Sequence, residues 1–273
     1  MSSKKILYVC QEIEPYLDTP NALFCRELLQ GVQECGNEIR SFTPRYGVIN
    51  ERRNQLHEVI RLSGMNLIIN NNDNQLIIKV ASIPSARVQV YFIDNEDFFS
   101  RKFTMADAEG VEFEDNDERA IFFARGVLET VKKLRWSPGI VHCHGWFASI
   151  VPLYLKHTFA DDPIFQDLKI VISLYDDEFK TPLDEEFKKK ISSEGLSDEN
   201  VDILTDPSYE NLIKFVMNYA DGVVIASENA SESLIEFARK ANKKILEYQK
   251  VNLEEPAEAK ELYKNYDKFY ESL

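Results

Sequence analysis

The stretch Lys5-Ile-Leu-Tyr-Val-Cys10 is an apolar run rich in strand-forming residues. Such a continuous run is typical of a strand buried on both faces, as in a parallel sheet. Thr19-Pro20 then supplies a helix N-cap and a first-turn proline, Gly36 a C-terminal cap, and residues 38–43 a second strand. The chain is therefore predicted to begin with a strand-helix-strand unit. The apolar stripe of its helix is predicted to comprise Leu23, Phe24, Leu28, Leu29 and Val32.

Residues 56–93 differ from this pattern, because short β-rich runs alternate there with turn signals, the clearest over 70–74. We expect an antiparallel hairpin or meander inserted into the α/β scaffold. Strand-helix alternation then returns, which predicts an α/β fold: a Rossmann-like doubly wound parallel sheet over residues 1–250. The later strands are predicted over 139–143, 169–174 and 221–226, and the helices over 116–134, from Trp146, near 182–192, over 208–220 and over 229–241.

The C-terminal segment, residues 251–273, is predicted to form an amphipathic helix that begins at Pro256. We expect its aromatic stripe to pack back onto the sheet domain, and a partner interface is the alternative. The stripe consists of Ala259, Leu262, Tyr263, Tyr266, Phe269, Tyr270 and Leu273.

Composition narrows the function classes. The 273 residues include 46 acidic and 32 basic side chains, a net charge of −14. Such a chain repels phosphate backbones and anionic lipid, so neither a nucleic acid nor a membrane is an expected partner. The apolar run at the N-terminus is too short for a secretory signal, and the run over 140–155 is too interrupted to span a bilayer. Four cysteines without C-x-x-C spacing suggest buried thiols and a cytoplasmic location.

The stretch Gly139-Ile-Val-His-Cys-His144-Gly-Trp146 places two histidines at the carboxyl end of a predicted buried strand. In open α/β sheets, ligands bind at this end of the strands. His142 and His144 lie on the same side of the strand, but Cys10 is the one evident third ligand, so we predict no metal and no cofactor. For His142 we favour a packed, hydrogen-bonded ring. For His144 a binding role and a packed ring both stay open.

Two further segments carry polar side chains near this end of the sheet. The first strand-helix turn contains Asp18-Thr19-Pro20-Asn21 and has neither glycine nor lysine, so its chemistry makes a poor phosphate site. Residues 107–118 hold seven carboxylates. They form either a solvated loop and helix N-terminus or, around Asp115-Asn116 and Arg119, part of a site.

Six motifs occur in the order and spacing of the N-terminal catalytic domain of bacterial glycogen and starch synthases, glycosyltransferase family 5 with the GT-B fold. This resemblance covers nearly the whole sheet domain. The first motif is Lys5-Ile-Leu-Tyr-Val-Cys-Gln-Glu12-Ile-Glu-Pro15, which resembles the family's opening strand and its S-E-x-x-P loop. The others are Pro44-Arg-Tyr46-Gly47, Val90–Asn95 followed by Phe98-Phe99, Asp115-Asn116 with Arg119 and Phe122-Phe123, His142-Cys-His144-Gly-Trp146, and Tyr219-Ala-Asp221.

The resemblance implies a reaction and a site. In that family two domains close on a cleft and transfer glucose from ADP-glucose to an α-1,4-glucan, without a metal. The resemblance implies catalytic roles for Asp115 and His144, and it places Asp18-Thr19-Pro20-Asn21 at the donor diphosphate. It also implies an α-1,4-glucan or a nucleotide sugar as ligand. The substrate-binding residues that it implies are Tyr46, Asn116, Arg119, Trp146 and Tyr175.

Departures from the family pattern qualify this expectation. The K-T-G-G-L donor loop is Asp18-Thr-Pro-Asn-Ala22, the aspartate of H-D-W is Gly145, and the histidine of T-I-H-N is Tyr175. The second Rossmann domain has no counterpart, whereas residues 259–273 resemble the family's closing helix. We therefore expect a degenerate domain that is non-catalytic alone and has a glucan-binding or regulatory role. One alternative is an active glycosyltransferase completed by a protein partner that supplies a second domain. The other is a protein-interaction module.

Overall fold

Ten strands form one sheet in the computed structural model, which describes residues 3–83, 86, 88–192 and 199–273. Their order across the sheet is β10-β9-β8-β7-β1-β2-β6-β5-β3, and β4 pairs with β5. The strands are β1 Lys5–Cys10, β2 Glu38–Pro44, β3 His57–Glu58, β4 Met65–Ile69, β5 Asn72–Ile83, β6 Val88–Asp94, β7 Ile140–His144, β8 Lys169–Leu174, β9 Gly222–Ile225 and β10 Lys244–Leu246.

Eight α-helices connect and cover these strands over the described residues. None of them is long and apolar enough to cross a membrane. The helices are α1 Pro20–Glu34, α2 Glu96–Phe99, α3 Asn116–Leu134, α4 Val151–Lys156, α5 Phe187–Ser192, α6 Tyr209–Met217, α7 Glu232–Lys240 and α8 Pro256–Ser272, with short 3-10 helices over Pro163–Phe165 and Glu199–Thr205.

The strands from β10 to β6 pair in parallel, and β3, β4 and β5 add antiparallel pairs at one edge. Strands β4 and β5 form a hairpin whose turn residues Asn70 and Asn71 have φ of 48° and 63°. Asparagine tolerates this left-handed region better than most residues, so the polar turn fits its geometry. The predicted fold class is confirmed: an α/β, Rossmann-like parallel sheet with a β-hairpin insertion and a C-terminal helix.

Helix α1 begins as its sequence predicts. The Thr19 side chain accepts a hydrogen bond from the backbone N–H of Ala22 at 3.0 Å, and Pro20 occupies the first turn. Leu23, which is predicted to lie on the buried stripe, is instead 42% exposed. The buried face runs through Cys25 and Leu28, and a residue two positions before Cys25 lies on the opposite side of a 3.6-residue helix.

Three further sequence predictions need correction. The helix expected from Trp146 begins at Val151, because residues 146–150 form turns first. Strand β10 was not predicted, since three residues in a polar stretch give too short a hydrophobic signal. Cys35 is exposed rather than buried, because it is the C-terminal cap of α1.

Helix α8 packs its aromatic face against α1 and the sheet. A Cβ atom on Gly31 of α1 would lie 2.1 Å from the Tyr263 ring, so the glycine makes room for this contact. Gly222 at the start of β9 makes the same allowance for Phe269. Because the protein itself covers this face, the surface that an interaction module would need is already occupied.

A chain of buried hydrogen bonds joins α8 to the middle of the sheet. His142 Nε2 lies 2.8 Å from the Ser173 hydroxyl, and His142 Nδ1 lies 2.7 Å from the Tyr270 hydroxyl. The Tyr270 hydroxyl is in turn 2.8 Å from that of Tyr8. Burial lowers the pKa of His142 well below its usual value, helped by the nearby His144 ring. The ring is therefore neutral, with one nitrogen donating and the other accepting.

We predict that Gly31→Ala destabilises the protein, although the same change in a helix interior ordinarily stabilises by about 0.5–1 kcal/mol. The added methyl group would displace Tyr263, and overpacking of this kind costs about 1–3 kcal/mol. Urea unfolding measures the change in the free energy of unfolding.

Gly139→Ala is the control, because the nearest atom to its added Cβ is at 3.8 Å. The cost of Gly31→Ala should also shrink in a Tyr263→Ala background. An equal cost in both backgrounds would contradict the assigned contact.

Candidate functional site

The carboxyl ends of β1, β7 and β8 meet at one edge of the sheet. His144 ends β7 and pairs in register with Cys10 on one side and Ser173 on the other. Tyr175 follows β8 directly, so chain direction alone brings it beside His144. Ligands of open parallel sheets bind at this edge, which is where the sequence predicts the site.

His144 and Tyr175 are bonded to each other rather than free. The Tyr175 hydroxyl lies 2.8 Å from His144 Nδ1 and 3.7 Å from the sulfur of Cys25 in α1. His144 is 1% exposed, and its Nε2 makes no hydrogen bond to any residue that the structure describes. Burial raises the pKa of Tyr175 well above its usual value, so the phenol stays protonated. The hydrogen-bonded pair of His144 and Tyr175 covers the carboxyl end of β7.

The space left beside His144 has a volume of only about 10 Å³. A cavity of that size holds about one water molecule and no sugar. It is lined by Gln11, Glu12, Asn21, Cys25, His144, Gly145, Tyr175 and Asp177.

The predicted donor loop surrounds a carboxylate of the protein itself. Thr19 donates a hydrogen bond from its hydroxyl group to Glu12 Oε2 at 2.7 Å. Thr19 stands at the N-terminus of α1, where the helix dipole favours negative charge. Burial raises the pKa of Glu12. Asp18 and Pro20 are exposed, so of the four loop residues only Thr19 and Asn21 reach the interior.

Gly145, which stands where the family has aspartate, adopts φ of +85°. A Cβ atom there would lie 2.7 Å from the Cβ of Gln11, whose side-chain oxygen accepts from the backbone N–H of Phe147 at 3.1 Å. A non-glycine residue would therefore be strained and would collide with Gln11. An aspartate at position 145 would require the Gln11 side chain to move.

Asp177 fixes the turn that follows β7. Its carboxylate accepts hydrogen bonds from the backbone N–H of Trp146 at 2.7 Å and from the Tyr209 hydroxyl at 3.0 Å. Burial raises the pKa of Asp177 to about 6, although both hydrogen bonds favour the charged form. The Trp146 ring packs edge-on against Phe179, with 4.8 Å between ring centroids.

Tyr46, Asn116 and Arg119 form a second cluster. Arg119 is fully buried, donates from Nε to the carbonyl of Phe98 at 2.8 Å, and donates from Nη1 to the side chain of Asn116. Its guanidinium lies 5.3 Å from the centre of the Phe99 ring and 6.0 Å from that of Tyr46. Burial lowers the pKa of Arg119 to about 10. Aromatic faces rather than an ion pair therefore stabilise this cation.

Asp115 is tied to another arginine. Arg101 donates to both of its carboxylate oxygens at 2.6 Å, a bidentate pair on a partly exposed surface. Within the described residues, no hydrogen bond, ion pair or ring contact joins Asp115 to His144. The structure thus places the two predicted catalytic residues in separate clusters, each already engaged.

A larger cavity of about 270 Å³ lies beside Asn116. The aromatic rings of Phe113 and Phe179 contribute to its walls. The Glu112 side chain, also in the lining, accepts hydrogen bonds from the backbone N–H groups of Lys180 and Thr181. The full lining is Glu112, Phe113, Glu114, Asn116, Phe179, Thr181, Pro182, Leu183 and Asp184.

Sequence reasoning missed several residues around these spaces. Asp177 had a usable signal, because it follows a predicted buried strand by three residues at the ligand-binding edge. Gln11 and Phe179 had none, since their roles depend on which loops meet in space. Among the described residues, no group of three or more His, Cys, Asp or Glu side chains could hold a metal ion.

Most of the chain is similar in sequence to known proteins. Residues 5–247 match the starch synthase catalytic domain. A glycogen synthase of Chlorobaculum parvum is 34% identical over 239 residues, 84% of this chain and 47% of that protein. A glycogen synthase of Chlorobium luteolum is 39% identical over 173 residues, 63% of this chain and 35% of that protein. The chain therefore spans less than half the length of these curated relatives.

A solved structure shares the fold. The catalytic domain of starch synthase IV from Arabidopsis thaliana, bound to ADP and acarbose, superimposes with a TM-score of 0.69 at 17% identity, covering 90% of this chain and 51% of that one. The family resemblance read from the six motifs is confirmed, and with the match to residues 5–247 it shows that this chain belongs to the starch synthase catalytic domain family.

Proposed function

We propose that this chain is a glucan-binding domain of the glycogen/starch synthase type that does not transfer glucose by itself. One contrast carries the proposal: the space beside His144 is about 10 Å³, whereas the cavity beside Asn116 is about 270 Å³. The first is where the family resemblance places the donor sugar. The second is open and is lined by groups that suit a neutral sugar.

The donor side opposes a nucleotide sugar on charge as well as on size. At the N-terminus of α1, a diphosphate would meet Asp18 where the family has lysine. Glu12 belongs to a motif that the chain shares with the family, so its carboxylate does not distinguish the two. Asp18 is exposed, so solvent reduces this repulsion, and the small space beside His144 is the stronger argument.

The cavity beside Asn116 has the opposite character. Phe113 and Phe179 offer ring surface to the apolar face of a sugar. Glu114, which makes no hydrogen bond or ion pair to any described residue, offers carboxylate oxygens to its hydroxyl groups. Glu112 already accepts from two backbone N–H groups, and Asp184 is already ion-paired. The negative charge of Glu112 and Glu114 disfavours phosphate. Because the relatives are named glycogen synthases, we infer an α-1,4-glucan as the ligand class.

Trp146 is buried and contributes to the site indirectly. The Trp146 ring packs against Phe179, which lines the cavity, and Asp177 accepts a hydrogen bond from the Trp146 backbone N–H. Tyr175 and His144 serve this arrangement by closing the neighbouring space rather than by touching the glucan. A role in holding or regulating glucan, separate from transfer, fits these contacts.

We predict that the purified protein binds a malto-oligosaccharide of about seven glucose units and that Glu114→Ala weakens binding about five- to ten-fold. Glu114 is exposed at the cavity, and losing one hydrogen bond of this kind costs about 1 kcal/mol. Calorimetric titration measures the dissociation constant.

Glu109→Ala is the matched control, because Glu109 is an exposed carboxylate of the same acidic segment outside the cavity lining. ADP-glucose titrated in the same way should give no saturable heat. Tight binding of ADP-glucose, or glucan binding that Glu114→Ala leaves unchanged, would contradict the proposal.

We also predict a pH signature of Asp177. Its pKa is about 6 in the folded protein against an ordinary value of 3.8, so folding favours the protonated form. Its stabilising contribution is complete below about pH 4 and is lost as the pH rises to about 6. Asp177→Asn removes this loss. The free energy of unfolding of the variant, relative to the native protein, should therefore rise by up to about 3 kcal/mol between pH 4 and pH 7.

Urea unfolding at the two pH values tests this. Asp176→Asn, at the exposed neighbouring carboxylate, serves as the control. A parallel pH dependence in the Asp177→Asn variant and the native protein would show that this carboxylate is not perturbed by burial.

A further inference from the structure

The structure contains a cavity of about 450 Å³ that the proposed function does not use. It lies between the loop after β1, the segment before β3, and β5. None of the residues predicted from the sequence for the site lines it. Its volume falls in the ordinary range for small-molecule sites. Its polar lining comprises Tyr16, Arg53, Asn54, Gln55, His57 and Ser82.

Among the residues that the structure describes, no carboxylate lines this cavity, although the chain carries a net charge of −14. The guanidinium of Arg53 is exposed and forms no ion pair with any described residue. Glu51, two residues before Arg53, lies 2.6 Å from Lys79 Nζ and is therefore already paired. Glu58, which follows the lining residue His57, is exposed and forms no ion pair with any described residue. Arg53 is therefore a cation free to meet a ligand.

Tyr16 supplies an independent observation. Its side chain is 7% exposed and packs edge-on against Phe92 at 4.7 Å between ring centroids. Its hydroxyl is buried and makes no hydrogen bond to any described residue. Burial raises the pKa of Tyr16 to about 12, so the hydroxyl remains a donor. Buried polar groups are nearly always hydrogen-bonded, and an unsatisfied donor lining a cavity points to a ligand acceptor.

The two larger cavities differ in charge. The one beside Asn116 is lined by Glu112, Glu114 and Asp184, and this one by Arg53 and His57 with amide and hydroxyl groups. We propose that this second cavity binds a small sugar phosphate. Arg53 would pair with the phosphate, since guanidinium matches its geometry. The Asn54 and Gln55 amides and the Tyr16 hydroxyl would bond the sugar oxygens.

Glucose 1-phosphate is the probe that tests this site, titrated into the intact chain at 150 mM salt. We expect saturable binding that Arg53→Gln weakens at least ten-fold and Tyr16→Phe weakens several-fold. Arg52→Gln is the matched control, because Arg52 is the adjacent exposed arginine and lies outside the lining. It removes the same charge and should leave the dissociation constant unchanged.

Glucose and inorganic phosphate, titrated separately, distinguish the parts of the ligand, and both should bind more weakly than glucose 1-phosphate. Equal binding of glucose would show a neutral-sugar site, and equal binding of phosphate a bare anion site. Either result overturns the proposal, as does equal weakening by Arg52→Gln or no binding at all. Glu114→Ala should not alter the titration with glucose 1-phosphate. Failure of the sugar-phosphate proposal can therefore be distinguished from failure of the glucan proposal.

Discussion

The packing of helix α8 on the sheet depends on the two buried hydrogen bonds of the His142 imidazole. Both of its nitrogens are used, one by Ser173 on β8 and the other by Tyr270 on α8, and Tyr270 continues the chain to Tyr8 on β1. A buried polar network of this kind is stable only when every member has a partner. It therefore fixes where α8 lies against the sheet, and it holds three neighbouring strands to one helix.

This network also determines what the adjacent site can be. The ring centroids of His142 and His144 lie 3.9 Å apart, so the position of the His142 ring limits that of the His144 ring. His144 then bonds Tyr175, and Tyr175 reaches Cys25 on α1. The edge of the sheet where a parallel α/β fold offers its binding site is thus closed from within. Open space is displaced to the loops around it, which is where the two larger cavities lie.

Most of the fold could be predicted from the sequence, because buried parallel strands such as β1 and β8 are continuous apolar runs and Thr19-Pro20 marks a helix start. Strand β10 could not, since three residues carry too little pattern. The site was predicted less completely. Its strand ends follow from chain direction. The contact of Tyr175 with His144, and the close approach of Gln11 that leaves no room for a Cβ at Gly145, depend on side-chain packing that no local pattern encodes.

Glucose transfer tests the central claim most directly, namely that this domain binds glucan with its donor side closed. The measurement is incorporation of labelled glucose from ADP-glucose into glycogen by the purified chain. The account predicts no incorporation above that of a sample without protein, because the space beside His144 is about 10 Å³ and Asp18 stands where the family has lysine. Incorporation that increases with protein concentration would contradict it.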